Sequence, residues 1–214
     1  MNILAIETST YFCSVALLTK SQFTIRESNQ SKKHSNQVLP MIEDLLSQAN
    51  MKLNELSGVA FSAGPGSFTG LRVACAVAQG IGFANSIPVV PVSSMEAVAM
   101  ASKKERVFVC LDARMNQVFC AAYQFTGKSL SIIQAPILVD INNFPSLPGS
   151  AWYGYGDGFK RYPDLILDQL GLQICNYSED TPSLSRYIGE LGVKKILSGE
   201  LFPPEKALPF YVRN

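Results

Sequence analysis

The run Ser62-Ala63-Gly64-Pro65-Gly66-Ser67-Phe68-Thr69-Gly70-Leu71-Arg72 decides the fold. An apolar run, Gly58-Val59-Ala60-Phe61, comes before it and predicts a strand. Residues 73–84 come after it and have the apolar, alanine-rich character of a buried helix. The run is therefore a turn from a strand into a helix. Its glycines free the backbone for positive φ and for close approach by another group.

Two roles suit this turn, and the stretch alone leaves both open. A hydroxyl-rich loop at the start of a helix presents unpaired N–H groups and the positive end of the helix dipole to an anion. The same glycines also suit a tight connection that packs a helix closely on a sheet. A Walker A loop is excluded, because Gly66 and Gly70 are separated by only Ser67-Phe68-Thr69 and no Gly-Lys-Ser/Thr follows.

The composition predicts a soluble, cytoplasmic protein with a sizeable core. Of the 214 residues, 47% are hydrophobic and 16% are charged. The charged share is below the usual value of about 25%, which suggests that partners cover part of the surface. A net charge of +1 favours neither nucleic acid nor an anionic membrane. The start of the chain has no signal-peptide pattern, and its apolar runs are interrupted well before membrane-spanning length.

The cysteines and the histidine restrict the chemistry further. The five cysteines are widely spaced without a Cys-x-x-Cys pair, so we expect small core residues in a reducing compartment. His34 is the only histidine, which excludes a site built on paired histidines. As a nucleophile, Ser62 or Ser67 would have no base beside it, because His34 belongs to another element. We therefore expect no catalytic residue and no metal site.

The first half predicts a three-stranded meander that is extended by parallel strands through helical crossovers. The expected elements are strands at 3–6, 13–18 and 23–27, a helix at 35–49, a strand at 58–61, a helix at 73–84, a strand at 88–92 and a helix at 95–101. The basic run at 103–106 is the expected junction. The predicted domains are therefore residues 1–103 and residues 104–214.

The second half begins as the first does, which predicts two related lobes. A strand at 107–111 ends in Asp112, just as the first strand ends in Glu7, and a hairpin follows each acid. The other expected features are strands at 117–123 and 130–133, an irregular proline-rich stretch at 136–148, an aromatic strand from 152, helices at 162–170 and 183–192 and an extended tail at 202–213.

Two further turns could hold a phosphate. Backbone N–H groups and hydroxyls of Thr8-Ser9-Thr10 could surround an anion, while Glu7 could hold a metal or orient water. The same residue types favour a plain hairpin turn. The Gly154-Tyr155-Gly156-Asp157-Gly158 turn could contact a nucleotide or could equally be a tight strand-to-helix turn. The candidate cofactor-binding residues are Thr8, Ser9, Gly64, Gly66 and Ser67.

Four segments resemble the TsaB (YeaZ) family. They are Ile3-Leu4-Ala5-Ile6-Glu7-Thr8-Ser9, the central run 62–72, Leu111-Asp112-Ala113-Arg114 and the closing Tyr211-Val212-Arg213. The central run is the most specific, and the resemblance is strongest before Arg114. It implies the α/β fold of the actin-like ATPases (the ASKHA fold), in two RNase H-like lobes with mixed sheets. The repeated strand-and-hairpin opening agrees with this.

The resemblance also implies a function. Such proteins take part in making threonylcarbamoyladenosine (t6A) on the adenosine next to the anticodon of tRNAs that read codons starting with A. In that family TsaD carries metal-binding histidines and transfers the threonylcarbamoyl group, whereas TsaB lacks this equipment and pairs with TsaD. The ATPase TsaE joins them. The chain would then be a non-catalytic subunit that reaches tRNA through the complex, with no tightly bound cofactor and with ATP only at the partner complex.

The remaining expectations concern alternative functions of the chain and its partner surface. The alternatives are an ATP-binding enzyme of the same fold, either a kinase or a glycoprotease-like hydrolase, and a nucleotide-binding sensor. The resemblance implies that helices of the first lobe form the partner interface, and a homodimer is possible when the chain is alone. The expected interface residues are Val38, Ile42, Leu45, Leu46, Ala74 and Val77.

Overall fold

The described residues fold into two mixed five-stranded sheets with helices, which confirms the predicted α/β class. The computed structural model describes residues 1–20, 22–29, 34–127 and 129–212, so Arg213 of the closing motif lies outside the described residues. The strands are Ile3–Glu7 (β1), Cys13–Thr19 (β2), Gln22–Ser28 (β3), Gly58–Gly64 (β4), Val89–Ser93 (β5), Arg106–Arg114 (β6), Gln117–Thr126 (β7), Ser129–Asp140 (β8), Trp152–Tyr155 (β9) and Ile174–Ser178 (β10). The α-helices are His34–Gln48 (α1), Phe68–Asn85 (α2), Ser94–Ser102 (α3), Asp157–Arg161 (α4), Pro163–Leu170 (α5) and Ser185–Leu197 (α6).

The first unit contains Met1–Ala97 and Ser183–Phe210. Its strand order is β3-β2-β1-β4-β5, with β1 antiparallel to β2 and parallel to β4. Side chains alternate between the two faces of a strand. Leu4 and Ile6 therefore point into the core beneath α1 and α2, while Ala5 faces Gly189 of α6 on the opposite side. Helices thus cover both faces of this sheet.

The second unit contains Val98–Pro182, with Tyr211 and Val212. Its sheet has the order β10-β9-β6-β7-β8, in which β6 is antiparallel to β7 and parallel to β9. Large aromatic side chains, including Phe108, Trp152 and Phe159, fill the core between this sheet and α4 and α5. Read from the meander, both sheets have the same topology. The two related lobes predicted from the repeated opening are therefore present.

The division of the chain differs from the predicted lobes 1–103 and 104–214. Helix α6 and the segment after it belong to the first unit, although they follow the second unit in the chain. Two glycines allow this return, because a Cβ built on Gly192 would lie only 2.5 Å from Ala60 Cβ and one on Gly189 only 3.3 Å from Ala5 Cβ. Helix α6 therefore lies directly on β1 and β4.

Two elements extend further than predicted. Helix α2 begins at Phe68, so its first turn lies inside the decisive run. Strand β8 continues through Pro136 to Asp140, where an irregular stretch is expected from the sequence. Proline is tolerated there because β8 is an edge strand. Among the helices that the structure describes, none is both long and apolar enough to cross a membrane.

Candidate functional site

Two of the predicted turns meet at the carboxyl ends of two inner strands of the first sheet. Strands β1 and β4 are parallel neighbours, so their carboxyl ends lie side by side. The backbone N–H of Ser67 donates to the carbonyl oxygen of Ser9 at 2.8 Å. The N–H of Thr8 donates to Ser62 Oγ at 3.4 Å. The structure therefore brings the Thr8-Ser9 turn and the Gly64–Ser67 loop together.

Glycines let the loop touch this turn directly. A Cβ on Gly70 would overlap the carbonyl oxygen of Thr8 and lie 2.8 Å from its carbonyl carbon. A Cβ on Gly66 would lie 2.7 Å from the carbonyl oxygen of Ser9. Gly64 has a φ of +114°, a conformation that L side chains rarely adopt. The close approach predicted for these glycines is confirmed, and Gly70 makes the tightest contact in the loop.

The polar groups of the loop bond to one another. Ser67 caps α2, because its Oγ accepts from the Gly70 N–H at 3.3 Å. Thr8 Oγ1 donates to the Gly70 carbonyl oxygen at 2.6 Å. Ser94 Oγ accepts from the Gly64 N–H at 3.2 Å and lies 3.0 Å from Ser9 Oγ. These hydroxyl and N–H groups are thus engaged within the loop and the adjoining turn, which supports a tight connection over a phosphate cradle.

A buried carboxylate organises the Thr8-Ser9-Thr10 turn. Glu7 is fully buried, and its Oε1 accepts from both the N–H and the Oγ of Ser9 at 2.6 Å. Its Oε2 accepts from Thr10 Oγ1 at 3.1 Å. Burial raises the pKa of Glu7, while these hydrogen bonds act in the opposite direction. Glu7 and Ser94 stand at the centre of this hydrogen-bond network. The sequence singles out Glu7 as a residue that could hold a metal or orient water, but it gives no signal for Ser94.

Replacing Glu7 tests the role of this burial. The raised pKa means that the folded state holds the proton more tightly than the unfolded chain does. Stability from this group is therefore greatest at low pH and falls as pH rises from the unfolded pKa toward the folded one. We expect wild type to lose free energy of unfolding relative to Glu7→Gln over that interval. Urea denaturation between about pH 4 and about pH 8 measures the difference. A pH-independent difference would contradict it, and exposed Glu43→Gln is the control.

The second unit repeats the arrangement with different residues. The N–H of Asp112 donates to Asp157 Oδ1 at 3.0 Å, so the acid near the end of β6 is fixed to the turn after β9. A Cβ on Gly156 would overlap the carbonyl oxygen of Cys110. Burial raises the pKa of Asp157. The Gly154–Gly158 turn therefore serves close packing, which supports the tight-turn interpretation there too.

His34 does not belong to a group of possible metal ligands among the described residues. His34 is the first residue of α1, and its Nε2 lies 3.3 Å from the carbonyl oxygen of Tyr11. Within residues 1–20, 22–29, 34–127 and 129–212, no three His, Cys, Asp or Glu side chains are grouped so that they could hold a metal ion.

Most of the predicted interface side chains face their own core. Val38, Leu45 and Ala74 are buried in the cluster beneath α1 and α2. Ile42 and Leu46 belong to the same cluster and reach the surface only at its rim. Val77 is half-buried. Apolar residues at helical spacing mark the side of a helix that packs inward, so these side chains stabilise their own unit, and their place in a partner interface stays a prediction.

Other apolar side chains of the same helices are exposed. Leu39 of α1 is 55% exposed and Phe83 of α2 is 78% exposed. Between them, Ala76 and Gly80 of α2 are open to solvent, and a Cβ on Gly80 would meet nothing within 4 Å. Arg72 is the only charged residue in α2. We call this surface, formed by Leu39, Phe68, Arg72, Ala76, Gly80 and Phe83, the α1–α2 face.

A groove borders the α1–α2 face. It has a volume of about 420 Å³ and runs between α1, the end of α2 and the short 3₁₀ turn at Leu53–Glu55. Its lining is mainly apolar and comprises Leu39, Ile42, Glu43, Leu46, Ser47, Met51, Leu53 and Ile81. Leu39 belongs to both the groove and the face. The two features therefore form one continuous, largely apolar surface.

Comparisons with known proteins identify relatives of this chain. A family model described as "TsaD: tRNA N6-adenosine threonylcarbamoyltransferase" matches residues 24–153. The "tRNA threonylcarbamoyladenosine biosynthesis protein TsaB" of Haemophilus influenzae is 41% identical over 56% of this chain, and the match spans about half (52%) of that relative's length. The Escherichia coli protein of the same name is 30% identical over 100% of this chain and 95% of its own length.

A solved structure extends the similarity to the whole fold. The structure titled "YeaZ from Pseudomonas aeruginosa" superposes with a TM-score of 0.90 at 29% identity, and 99% of each chain is covered. The two repeated lobes with mixed sheets are those of the actin-like ATPase fold that the resemblance implies. Together, the match along the full Escherichia coli protein, the family model and the superposed structure establish that the chain belongs to the TsaB (YeaZ) family.

Proposed function

We propose that the chain is a non-catalytic subunit in t6A37 formation on tRNAs reading ANN codons, and that it binds and activates a TsaD-like catalytic partner. The similarity to the TsaB protein of Escherichia coli, which extends along the whole chain, carries this proposal. A TsaE-like ATPase joins the pair, and tRNA is reached through the complex. The free chain can form a homodimer through the surface that binds the TsaD-like partner.

The Gly64–Ser67 loop and the Thr8-Ser9 turn support a non-catalytic role. Thr8, Ser9, Gly64 and Ser67 bond to groups of their own chain, and Gly66 packs on Ser9. Polar groups that already have partners gain little from a further ligand, and Thr8 and Ser9 are also buried. We therefore propose that the chain alone binds no cofactor tightly and that ATP acts only at the partner complex.

The α1–α2 face supports pairing with a protein. A large exposed patch of apolar side chains with one charge is typical of a protein-binding surface. The TsaD family model spans α1 and α2, so a TsaD-like partner would have corresponding helices. Helices from both chains can then pack face to face. The small side chains at Ala76 and Gly80 allow the close approach that such packing needs.

Reconstitution tests the proposal. The TsaD and TsaE homologues of the same organism are combined with tRNA, ATP and a threonylcarbamoyl donor, with and without this chain. We expect t6A to form only when the chain is present, and no t6A from the chain without the TsaD homologue. Transfer by the chain alone, or full activity of the partners without it, would contradict the proposal.

An ATP titration of the isolated chain tests the alternative, an ATP-binding enzyme of the same fold. We expect no saturable binding below about 1 mM ATP with Mg²⁺ by calorimetry. Tight magnesium-dependent binding would favour the enzyme instead. Ser67→Ala removes the hydroxyl that caps α2 but no charged group. Its melting temperature, measured beside the titration, shows whether any loss of nucleotide binding comes from loss of stability.

A further inference from the structure

The end of the first unit crosses α2 as an extended segment. We call residues 201–210 the C-terminal strap. Phe202 pairs with Val89 at the edge of β5 through two backbone hydrogen bonds of 3.1 and 3.3 Å. The carbonyl oxygen of Ala207 accepts from Gln79 Nε2 of α2 at 3.0 Å. The N–H of Phe210 donates to the carbonyl oxygen of Ala63 at 2.6 Å. The strap is thus fixed at its start, middle and end.

The strap lies along one side of α2. Cys75 Sγ and Gln79 Nε2 both donate to Ala207, and a Cβ on Gly82 would lie 2.9 Å from Pro204 Cγ. Positions 75, 79 and 82 share one side of a helix with 3.6 residues per turn. Positions 77 and 81 lie on the far side, where Ile81 lines the groove beside α1. Helix α2 is therefore flanked by α1 on one side and by the strap on the other.

The exposed residues of α2 lie between these two flanks. Ala76, Gly80 and Phe83 fall between the strap side and the α1 side on the helical wheel. Ala76 and Gly80 make the middle of this strip low, whereas Phe83 is exposed at its C-terminal end and Arg72 toward its start. Larger apolar side chains stand on both borders. Leu39 of α1 is 55% exposed on one border, and Leu208 of the strap is 60% exposed on the other. The surface is therefore a trough rather than a flat patch.

The strap leaves large apolar side chains in solvent although its backbone is held in place. Phe210 is also exposed, at the end of the strap near the start of α2, where Phe68 is exposed as well. Isolated exposed apolar residues are ordinary, but these continue the α1–α2 face. Covering such a side chain on binding is favourable, because apolar surface is removed from water.

We infer that the C-terminal strap is part of the partner-binding surface, with Leu208 and Phe210 forming the second wall of a trough that receives an apolar helix of the TsaD-like subunit. This inference rests on the proposed function. Continuity with the α1–α2 face carries it. Interaxial distance depends on the side chains at the contact, so the small residues Ala76 and Gly80 allow a helix to approach closely in the middle of the trough. Arg72 is the only charge in α2 and Glu43 of α1 lines the adjoining groove, so the matching helix face is mainly apolar.

A pair of leucine variants tests the inference. Leu208→Asp changes the strap, and Leu197→Asp is the matched control, because Leu197 is 73% exposed on α6, which packs on the opposite face of the sheet. Affinity for the purified TsaD homologue is measured by calorimetry, and the melting temperature of each variant confirms folding. We expect Leu208→Asp to weaken binding by about tenfold or more, and Leu197→Asp to bind as wild type.

Hydrogen exchange supplies a measurement without mutation, and the outcomes separate the two proposals. We expect the amides of Ala207, Leu208 and Phe210 in the wild-type chain to exchange more slowly in the complex. If Leu208→Asp binds as wild type and these amides gain no protection, while Ala76→Arg on α2 loses binding, the strap is excluded and the proposed function stands. If wild type itself does not bind the TsaD homologue, the proposed function is overturned together with this inference.

Discussion

Gly70→Ala is expected to lower the free energy of unfolding by roughly 3–5 kcal/mol, because the added methyl group has no space. Its Cβ would overlap the carbonyl oxygen of Thr8 and lie 2.8 Å from the carbonyl carbon. These are backbone atoms, so no rotamer change can relieve the overlap. Helix α2 would have to move away from the turn, which would break the Ser67-to-Ser9 and Thr8-to-Gly70 hydrogen bonds.

Gly80→Ala is the matched control, since it makes the same chemical change in the same helix. Nothing lies within 4 Å of a Cβ at Gly80, so relief from the low helix propensity of glycine should stabilise the chain by up to about 1 kcal/mol. Urea denaturation of both variants gives the two free energies. If Gly70→Ala were as stable as wild type, the loop could not be packed directly on the Thr8 turn.

The repeated lobes could be predicted because their signals are local. Short apolar runs mark the central strands, and an acid followed by a hairpin recurs at Glu7 and Asp112. The return of α6 to the first sheet has no local signal. Its sequence shows an amphipathic helix but not which sheet it covers, and that choice depends on Gly189 and Gly192 meeting β1 and β4. The predicted boundary of the second lobe differs from the structure for this reason.

Strand β10 was not predicted for a related reason. It lies at the edge of its sheet beside β9, and only Ile174 among its residues is buried. Such a strand has neither the alternation of a half-buried strand nor the apolar run of a central one. Its pairing with β9 stabilises it, and pairing between distant segments cannot be read from one segment.

The loop and the helices show what the sequence can and cannot say about the site. Close approach at the glycines was predictable, and Gly70 had a signal of its own, because glycine is unfavourable in the first turn of a helix. Helical spacing selects residues such as Val38 and Leu45, which pack inward. The exposed apolar residues Phe83 and Leu39 lie outside that period, so the spacing could not single them out.

Ala76→Arg is expected to weaken pairing with the TsaD homologue by about a hundredfold and to abolish t6A formation in the reconstituted reaction. Ala76 is exposed on the strip between the strap and α1, so the longer side chain does not disturb the core. In the complex it would place an unpaired charge among apolar side chains, where desolvation is costly. Leu46→Glu would be a poorer test, because Leu46 is buried and its loss would report on folding.

Calorimetric titration with the TsaD homologue measures this effect, and Ala135→Arg is the control. Ala135 is exposed on the edge strand β8 of the second unit, so the same change there should leave both affinity and t6A formation as in wild type. Equal loss in both variants would mean that the added charge acts through the field of the whole protein. Wild-type affinity for Ala76→Arg would exclude the α1–α2 face, and pairing would then have to use another surface. Loss confined to Ala76→Arg would link pairing and activity to the same strip of α2.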